Sequence, residues 1–153
     1  MAAIVQNVRL KIRVKNIRAK SEVYPMKYLT ASLEDYLEII YILGQNSKSV
    51  GVTDIAKALF ISKPSVTRAV STLKDEKFLN QEKYGKISLT EKGIQAAKTI
   101  YDKHKIISEF LTRVLGIDSQ TAEIDACKIE HILSHKTIKS IENFLKTKNT
   151  LID

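Results

Sequence analysis

The stretch ACKIEHILSH, residues 126–135, contains the only cysteine of the chain and two of its three histidines. Cys127, Glu130 and His131 are spaced at i, i+3 and i+4, so a helix would place them on one face, apart from its apolar residues. A thiolate, a carboxylate and an imidazole held side by side are typical ligands of a transition metal. The same trio is also common on the solvated face of an ordinary helix, so this stretch alone leaves both interpretations open.

Two further segments extend the set of possible ligands. His104 lies close to the apolar positions of a long predicted helix, where an unpaired polar group is costly, although a single histidine there is more often a hydrogen-bonded core residue. Asp35 and Glu38 stand three residues apart on the first predicted helix, where acidic residues also interact favourably with the helix dipole. Together the three segments offer nitrogen, oxygen and sulfur donors, a mixed set that suits a divalent first-row transition metal.

Hydrophobic periodicity predicts the elements that must position these residues. The predicted helices begin at Ser32, Thr53, Ser62, Thr90, Asp118 or Ser119, and near Thr137. Gly44 is expected to end the first helix, and Ser134 the helix that carries the opening stretch, with His135 in a loop. Two short strands are expected on either side of Tyr84-Gly85. A short helix, a turn, a second helix and a small hairpin, in this order, indicate a winged helix-turn-helix.

The helix predicted from Ser62 has one apolar face and one face of small, polar and basic residues that no acidic residue interrupts. Such a face fits the DNA major groove, and Arg68 can bind a guanine edge through two hydrogen bonds. On an isolated helix a polar face is more often merely solvated, but its place before a basic hairpin favours DNA binding. The predicted DNA contacts are Ser62, Lys63, Pro64, Ser65, Thr67, Arg68, Ser71, Thr72, Lys74, Lys83 and Lys86.

The formal charge of +8 is distributed unevenly along the chain. Residues 1–27 contain seven of the 25 Lys and Arg residues against one glutamate, and the rest of the chain is close to neutral. Residues 1–28 are expected to form a basic extension that is flexible or non-native, since Met26 directly precedes the first predicted helix.

Composition and motifs exclude several classes of protein. A single cysteine cannot form an intrachain disulfide, and no apolar run reaches about 18 residues. A cytoplasmic protein without a membrane span is therefore expected. Neither an H-E-x-x-H motif nor a conspicuous nucleophile with a base occurs in the sequence, so an enzyme is not expected.

The order and spacing of six segments resemble the diphtheria-toxin-repressor family of metal-dependent transcriptional repressors, most closely its short manganese-transport regulators. The segments are LEDYLEIIYIL, VTDIAKAL, KPSVTRAVSTL, EKYGKISLTEKG, HKIISEFL and IEHILS, between residues 30 and 145. The resemblance implies a mainly α fold, with an N-terminal winged helix-turn-helix followed by an α-helical metal-binding and dimerisation domain. The implied boundaries are 1–28 for the extension, 29–92 for the DNA-binding domain and 93–153 for the helical domain, with no SH3-like domain.

The resemblance also implies which residues bind the metal. Carried over position by position, they are Asp35, Glu38, His104, Cys127, Glu130 and His131, with Glu123 as a further candidate. The iron-sensing branch has cysteine at position 127, but it has methionine where this chain has Asp35, so the cofactor is expected to be Mn²⁺ or Fe²⁺. Ser108 stands where the family often has an acidic residue for a second metal, so the number of metal ions stays open.

The implied function is a homodimeric, metal-activated repressor that binds a double-stranded DNA operator and controls the uptake of manganese or iron. No membrane partner and no small organic cofactor are expected. The expected dimer surface, which can equally be intrachain core, is the apolar stripe Ile138, Ile141, Phe144 and Leu145. The alternative is a winged-helix regulator that responds to a signal other than a metal, with the polar cluster acting only as a hydrogen-bond network.

Overall fold

The computed structural model describes residues 29–46, 50–82 and 85–149. The predicted extension over 1–28 and the predicted DNA contact Lys83 lie outside these ranges. In chain order the elements are α1 (Ala31–Asn46), β1 (Val50–Gly51), α2 (Val52–Ala58), α3 (Lys63–Asp75), β2 (Leu79–Gln81), β3 (Lys86–Leu89), α4 (Glu91–Arg113), α5 (Ser119–Ile129) and α6 (His135–Asn149). The predicted mainly α fold, with a winged helix-turn-helix in its first half, is confirmed.

The first two helices begin earlier than predicted. Thr30 caps α1 in place of Ser32, because a backbone N–H of the first turn donates to Thr30 Oγ1 at 3.3 Å. The N-cap of α2 is Gly51 and not Thr53, and the side chain of Asp54 accepts a hydrogen bond from the Gly51 N–H at 3.0 Å. Several capping residues stand close together at each start, and the direction from which the chain enters the helix decides which of them is used.

The other N-caps follow the prediction more closely. Ser62, Thr90 and Asp118 each accept a hydrogen bond from a first-turn N–H at the start of α3, α4 and α5. Ser134 does not end a helix but caps α6, since its Oγ accepts a first-turn N–H at 3.2 Å. His135 is consequently the first residue of α6 and not a loop residue.

The hairpin that follows α3 is confirmed, and a third strand joins it. Strands β2 and β3 are antiparallel, with Leu79 opposite Leu89 and Gln81 opposite Ile87. Strand β1 pairs with the other edge of β3, with Val50 opposite Ile87, so the order in the sheet is β1-β3-β2. A strand of two residues has no periodicity, so the sequence does not reveal it.

Two hydrophobic cores share the long helix α4. The larger core joins α1, α2, α3 and the sheet, and includes Ala97 and Ile100 from the first half of α4. The smaller core contains Ile107 from the second half of α4, with Ala126 of α5 and Ile138 of α6. Because α4 belongs to both cores, the predicted domain boundary near its start stays a prediction. Over the described ranges no helix combines the length and the apolar character that a membrane span needs.

Half of the apolar stripe on α6 is buried inside the chain. Ile138 and Leu145 are each 5% exposed. Phe144 is 45% exposed, and its ring packs edge-on against Phe110 with 6.2 Å between the ring centroids. Ile138 and Leu145 are therefore part of the intrachain core, and a dimer surface on α6 stays a prediction.

The start of α4 is held against the turn between α3 and β2. The Thr90 N–H donates to the Phe78 carbonyl at 3.0 Å, and Thr90 Oγ1 donates to the Lys77 carbonyl at 2.8 Å. Gly93 lies so close to this turn that a Cβ atom on it would overlap with the Phe78 carbonyl oxygen. These contacts fix the orientation of α4 relative to the helix-turn-helix.

Candidate metal centre and nucleic-acid interface

Side chains from α1, α4 and the end of α5 converge into one group, here called the ligand cluster. Asp35, Cys127 and Glu130 place one possible ligand atom each within 4.8 Å of one another, and so do Glu38, His104 and Glu130. Glu130 belongs to both sets, so the five residues form a continuous cluster of oxygen, nitrogen and sulfur donors. The structure therefore brings together five of the predicted ligands.

Glu130 lies at the centre of the ligand cluster. It is the C-cap of α5 and is only 1% exposed. Its Oε2 accepts a hydrogen bond from His104 Nδ1 at 2.9 Å. Its Oε1 has no hydrogen-bond partner among the described residues, although it lies 3.3 Å from His131 Nε2. A buried carboxylate oxygen without a partner is costly, and coordination to a cation removes that cost. The residues present therefore fit a metal ion.

His104 is held between two carboxylates. Its Nδ1 faces Glu130 Oε2 at 2.9 Å, and its Nε2 faces Glu123 Oε2 at 2.8 Å. Only an imidazolium can donate from both nitrogens at once. The hydrogen bond to Glu130, together with the one to Glu123, outweighs the effect of burial and raises the pKa of His104 to about 9. Without a metal, His104 is therefore positively charged at neutral pH.

His131 has the same arrangement on the other side of Glu130. Its Nδ1 lies 2.6 Å from Glu34 Oε2, and its Nε2 lies 2.9 Å from Asp35 Oδ1. Burial lowers the pKa of His131, but the hydrogen bond to Glu34 and the neighbouring carboxylates outweigh burial and raise the pKa above its usual value. His131 contacts the ligand cluster at Asp35 and, at 3.3 Å, at Glu130, and its role as a metal ligand stays a prediction.

Glu34 contacts His131 beside the ligand cluster, and the sequence analysis did not include it. It stands one helical turn before Glu38 on α1, a spacing that places both carboxylates on one face. This spacing was the available signal. The side chain of Glu34 is 12% exposed, so its carboxylate adds a largely buried negative charge beside His131.

Two further members of the ligand cluster, Glu38 and Cys127, hold their protons more firmly than usual. Burial, followed by the negative charge of Glu130, raises the pKa of Glu38 to about 7. Cys127 lies at the exposed edge of the cluster, and partial burial of its thiol together with the charge of Asp35 raises its pKa to about 11. Metal ligands must be deprotonated, so both groups have to release a proton if they bind a metal near neutral pH.

Glu123 contacts the cluster from outside. Ser108 Oγ donates a hydrogen bond to Glu123 Oε1, while Glu123 Oε2 contacts His104 Nε2 at 2.8 Å. The hydrogen bond from Ser108, and then the one from His104, lowers the pKa of Glu123. Glu123 belongs to neither set of converging ligand atoms, so the structure gives it the role of orienting His104, and its predicted role as a ligand stays a prediction.

Binding of Mn²⁺ is expected to strengthen as the pH rises, because the proton on His104 must leave before its nitrogen can bind a metal. Below the His104 pKa of about 9 that proton is present, so the apparent affinity should gain up to about tenfold per pH unit for each proton released. Below neutrality Glu38, with its pKa of about 7, releases a second proton, and Cys127, with its pKa of about 11, releases a further proton wherever it binds the metal. Titration calorimetry from about pH 6 to about pH 8, in buffers of different ionisation enthalpy, measures both effects.

The third histidine provides the control for this experiment. His135 lies on α6 outside the ligand cluster, so the His135→Ala variant should keep the full pH dependence. The raised pKa of His104 also stabilises the metal-free fold fully below pH 6.5, and this contribution is lost as the pH rises through about 9. An Mn²⁺ affinity that does not change with pH would contradict the assignment of His104 as a ligand.

The exposed face of α3 matches the predicted DNA contacts in position. The hydroxyls of Ser62 and Ser65 form a hydrogen bond with each other at 2.9 Å, and Ser62 Oγ also caps the helix. Thr67 Oγ1 and Thr72 Oγ1 donate to carbonyls one turn earlier. Arg68 and the lysines of α3 stay exposed, as does Lys86 at the start of β3. These hydroxyls therefore already form hydrogen bonds within the helix, and the exposed cations are the groups best placed to contact DNA. The contacts of all these residues with DNA stay predictions.

Two protein-family models match the chain. The model described as the N-terminal DNA binding domain of iron dependent repressors matches residues 28–87. The model described as the metal binding and dimerisation domain of iron dependent repressors matches residues 90–150. Each model covers one half of the fold, and the second contains His104 and the end of α5.

Curated relatives agree with the family models. An uncharacterised HTH-type transcriptional regulator of Methanocaldococcus jannaschii is 42% identical over 119 residues, which are 77% of this chain and 95% of that protein. The HTH-type transcriptional regulator MntR of Listeria welshimeri is 38% identical over 117 residues, which are 76% of this chain and 82% of that protein.

Solved structures share the same fold. The manganese regulator SloR has a TM-score of 0.69 and 30% sequence identity, and the match covers 77% of this chain and 55% of that one. The crystal structure of IdeR from T. acidophilum has a TM-score of 0.66 and 27% sequence identity, and the match covers 84% of this chain and 55% of that one. The chain thus spans about half the length of these two structural neighbours.

Proposed function

The chain belongs to the diphtheria-toxin-repressor family of iron-dependent repressors, and from this premise we propose that it is a metal-activated repressor that controls the uptake of manganese or iron. The family consists of DNA-binding regulators, so the protein is a metal-dependent transcriptional repressor and not an enzyme. We further propose that it acts in the cytoplasm as a homodimer on a double-stranded DNA operator, with Mn²⁺ or Fe²⁺ as the cofactor.

One observation carries the metal dependence, namely that the buried Oε1 of Glu130 has no hydrogen-bond partner among the described residues, with His131 Nε2 nearby at 3.3 Å. It lies where α1, α4 and the end of α5 meet, within reach of donors from each of the three elements. Asp35, Glu38, His104 and Cys127 would complete the set of ligands around it. A bound divalent cation supplies the positive charge that these carboxylates lack when the imidazoles lose their protons.

The connection from the ligand cluster to DNA runs through α1. This helix carries Asp35 and Glu38, and its residues Leu37 and Ile40 lie in the larger core together with α3. If Asp35 and Glu38 bound the same metal ion as residues of α4 and α5, the metal would fix the orientation of α1 relative to these helices, and α3 would be fixed with it. In a dimer this sets the distance between two α3 helices that read two half-sites.

The alternative function is a regulator that responds to a signal other than a metal. In its favour, both ring nitrogens of His104 and of His131 already have carboxylate partners in the protein. This network nevertheless leaves Oε1 of Glu130 buried without a hydrogen bond, which a purely structural network would not require.

DNA affinity measured with and without metal tests the proposal. Allosteric coupling between two sites is typically about 1–3 kcal/mol, so we expect DNA to bind about 5–150-fold more tightly with Mn²⁺ or with Fe²⁺ under reducing conditions. The titration should include Co²⁺ and Zn²⁺, and a response to Zn²⁺ alone does not identify the cellular metal, because Zn²⁺ binds such donors tightly in general.

A variant separates the two binding functions in this titration. Arg68→Ala should weaken specific DNA binding while the metal affinity of the free protein stays unchanged, because Arg68 is exposed on α3 and outside the ligand cluster. Equal DNA affinity in chelator and in every metal would overturn the metal-activated function and favour the alternative.

A further inference from the structure

Phe60 is the most exposed large apolar residue of the described chain. Its side chain is 94% exposed, in the turn between α2 and α3. Its neighbour Ile61 is 37% exposed, and the N-cap of α3 follows directly at Ser62. A phenylalanine in this position contributes nothing to either core, and exposing it to water is unfavourable.

The backbone of Phe60 is also strained. Its φ is +55°, in the left-handed region that favours glycine. The Ile61 N–H donates to the Ala56 carbonyl at 3.0 Å, which closes the end of α2 around Phe60 in the way that a C-terminal glycine usually does. Glycine would thus serve this turn better than phenylalanine, and neither stability nor solubility accounts for the aromatic ring. Strain at an exposed residue points to a function for its side chain.

The surroundings of Phe60 are suited to a polyanion. From Lys57 to Lys74 the chain contains four basic residues and no acidic residue. Lys57 and Lys63, three residues before and after Phe60, are both exposed. Three residues span at most about 11 Å, so Phe60 lies at the same end of the helix-turn-helix as the first turn of α3. The first turn of a recognition helix is the part that enters the major groove.

We infer that Phe60 makes an apolar contact with operator DNA beside the first turn of α3. This inference rests on the proposed DNA-binding function and adds a residue that the charged and hydroxyl groups of α3 do not include. Two apolar surfaces of DNA can receive the ring, the C5 methyl group of thymine at the floor of the major groove and the deoxyribose at its edge. The cations on either side of Phe60 bring the backbone phosphates close and carry no sequence information, whereas a thymine methyl contact does.

The test compares Phe60→Gly, Phe60→Asn and Phe60→Tyr with the wild-type protein. Wild-type protein loaded with Mn²⁺ first selects a DNA duplex from a random-sequence library, and this duplex is the probe. A second version of the same duplex has uracil at every thymine position. Phe60→Gly and Phe60→Asn should melt at or above the wild-type temperature, because both residues adopt a positive φ readily. Both should bind the duplex about tenfold more weakly, as expected when an aromatic ring no longer buries apolar surface, and Phe60→Tyr should retain the affinity.

The uracil duplex identifies the surface that the ring contacts. If the affinity loss of Phe60→Gly disappears on the uracil duplex, the contact is a thymine methyl group, and if the loss persists, the contact is the deoxyribose. Wild-type affinity in Phe60→Gly and Phe60→Asn, or a lower melting temperature in both, would overturn the inference and leave the proposed function intact. Failure of the wild-type protein to select any duplex would overturn both.

Discussion

Replacing Glu130 with glutamine is expected to weaken Mn²⁺ binding by at least about 100-fold, since even changes outside the first coordination shell cost about 10–100-fold. Glutamine keeps the shape of the side chain and can still accept the hydrogen bond from His104. Its amide nitrogen, however, would replace an oxygen as the donor atom and lacks the negative charge that binds a cation. Because Glu130 is common to both sets of converging ligand atoms, no other residue of the cluster can take its place.

The effect on DNA binding follows from the loss of metal. Glu130→Gln should bind DNA in the presence of Mn²⁺ as weakly as the wild-type protein does in chelator, while its far-ultraviolet circular dichroism stays unchanged. Glu142→Gln is the matched control, because Glu142 lies on α6 and pairs with Lys139 and Lys146 outside the ligand cluster. A Glu130→Gln protein that still gains DNA affinity with Mn²⁺ would exclude Glu130 as a ligand.

Replacing Gly93 with alanine is expected to destabilise the protein by about 1–3 kcal/mol, the usual cost of forcing extra volume into a packed site. For a chain of this length that corresponds to a fall in melting temperature of roughly 2–4 °C per kcal/mol. Inside a helix this substitution normally stabilises, by about 0.5–1 kcal/mol. Here the added Cβ overlaps with the Phe78 carbonyl oxygen, a backbone atom that cannot turn away as a side chain can. Thermal or urea unfolding measures the difference.

Gly44 provides the control, because alanine at this position should change the free energy of unfolding in the opposite direction. It lies within α1, and a Cβ added to it meets no atom within 4 Å. Gly44→Ala should therefore raise the stability by about 0.5–1 kcal/mol, as alanine does in an open helical position. Equal effects of the two substitutions would show that the contact between Gly93 and Phe78 does not constrain α4.

Much of the fold could be predicted where local chemistry decides it. Ser62 before a regular apolar pattern predicted α3, and Thr90 predicted the long helix in the same way. Gly44 was wrong as the end of α1, because it keeps a helical backbone and the helix runs on to Asn46. Strand β1 could not be predicted, since its two residues become a strand only by pairing with β3.

The ligand cluster shows the same division between local and distant information. Cys127 and Glu130 could be grouped by their spacing, and their approach to α1 followed from the family resemblance. The contact of Glu34 with His131 joins residues that are 97 positions apart, so no local pattern contains it. Likewise, Glu130 Oε1 has no hydrogen bond among the described residues because no donor of the neighbouring side chains is placed to reach it, and this depends on the packing of the whole site.

The continuity of α4 has a consequence for how the protein opens and folds. One helix supplies Ala97 and Ile100 to the larger core and Ile107 to the smaller one. If either half comes apart, α4 loses the apolar contacts on that part of its length and the helix frays into the other half. We therefore expect partial opening to be costly, and we expect the backbone amides of α4 to be among the last to exchange with solvent.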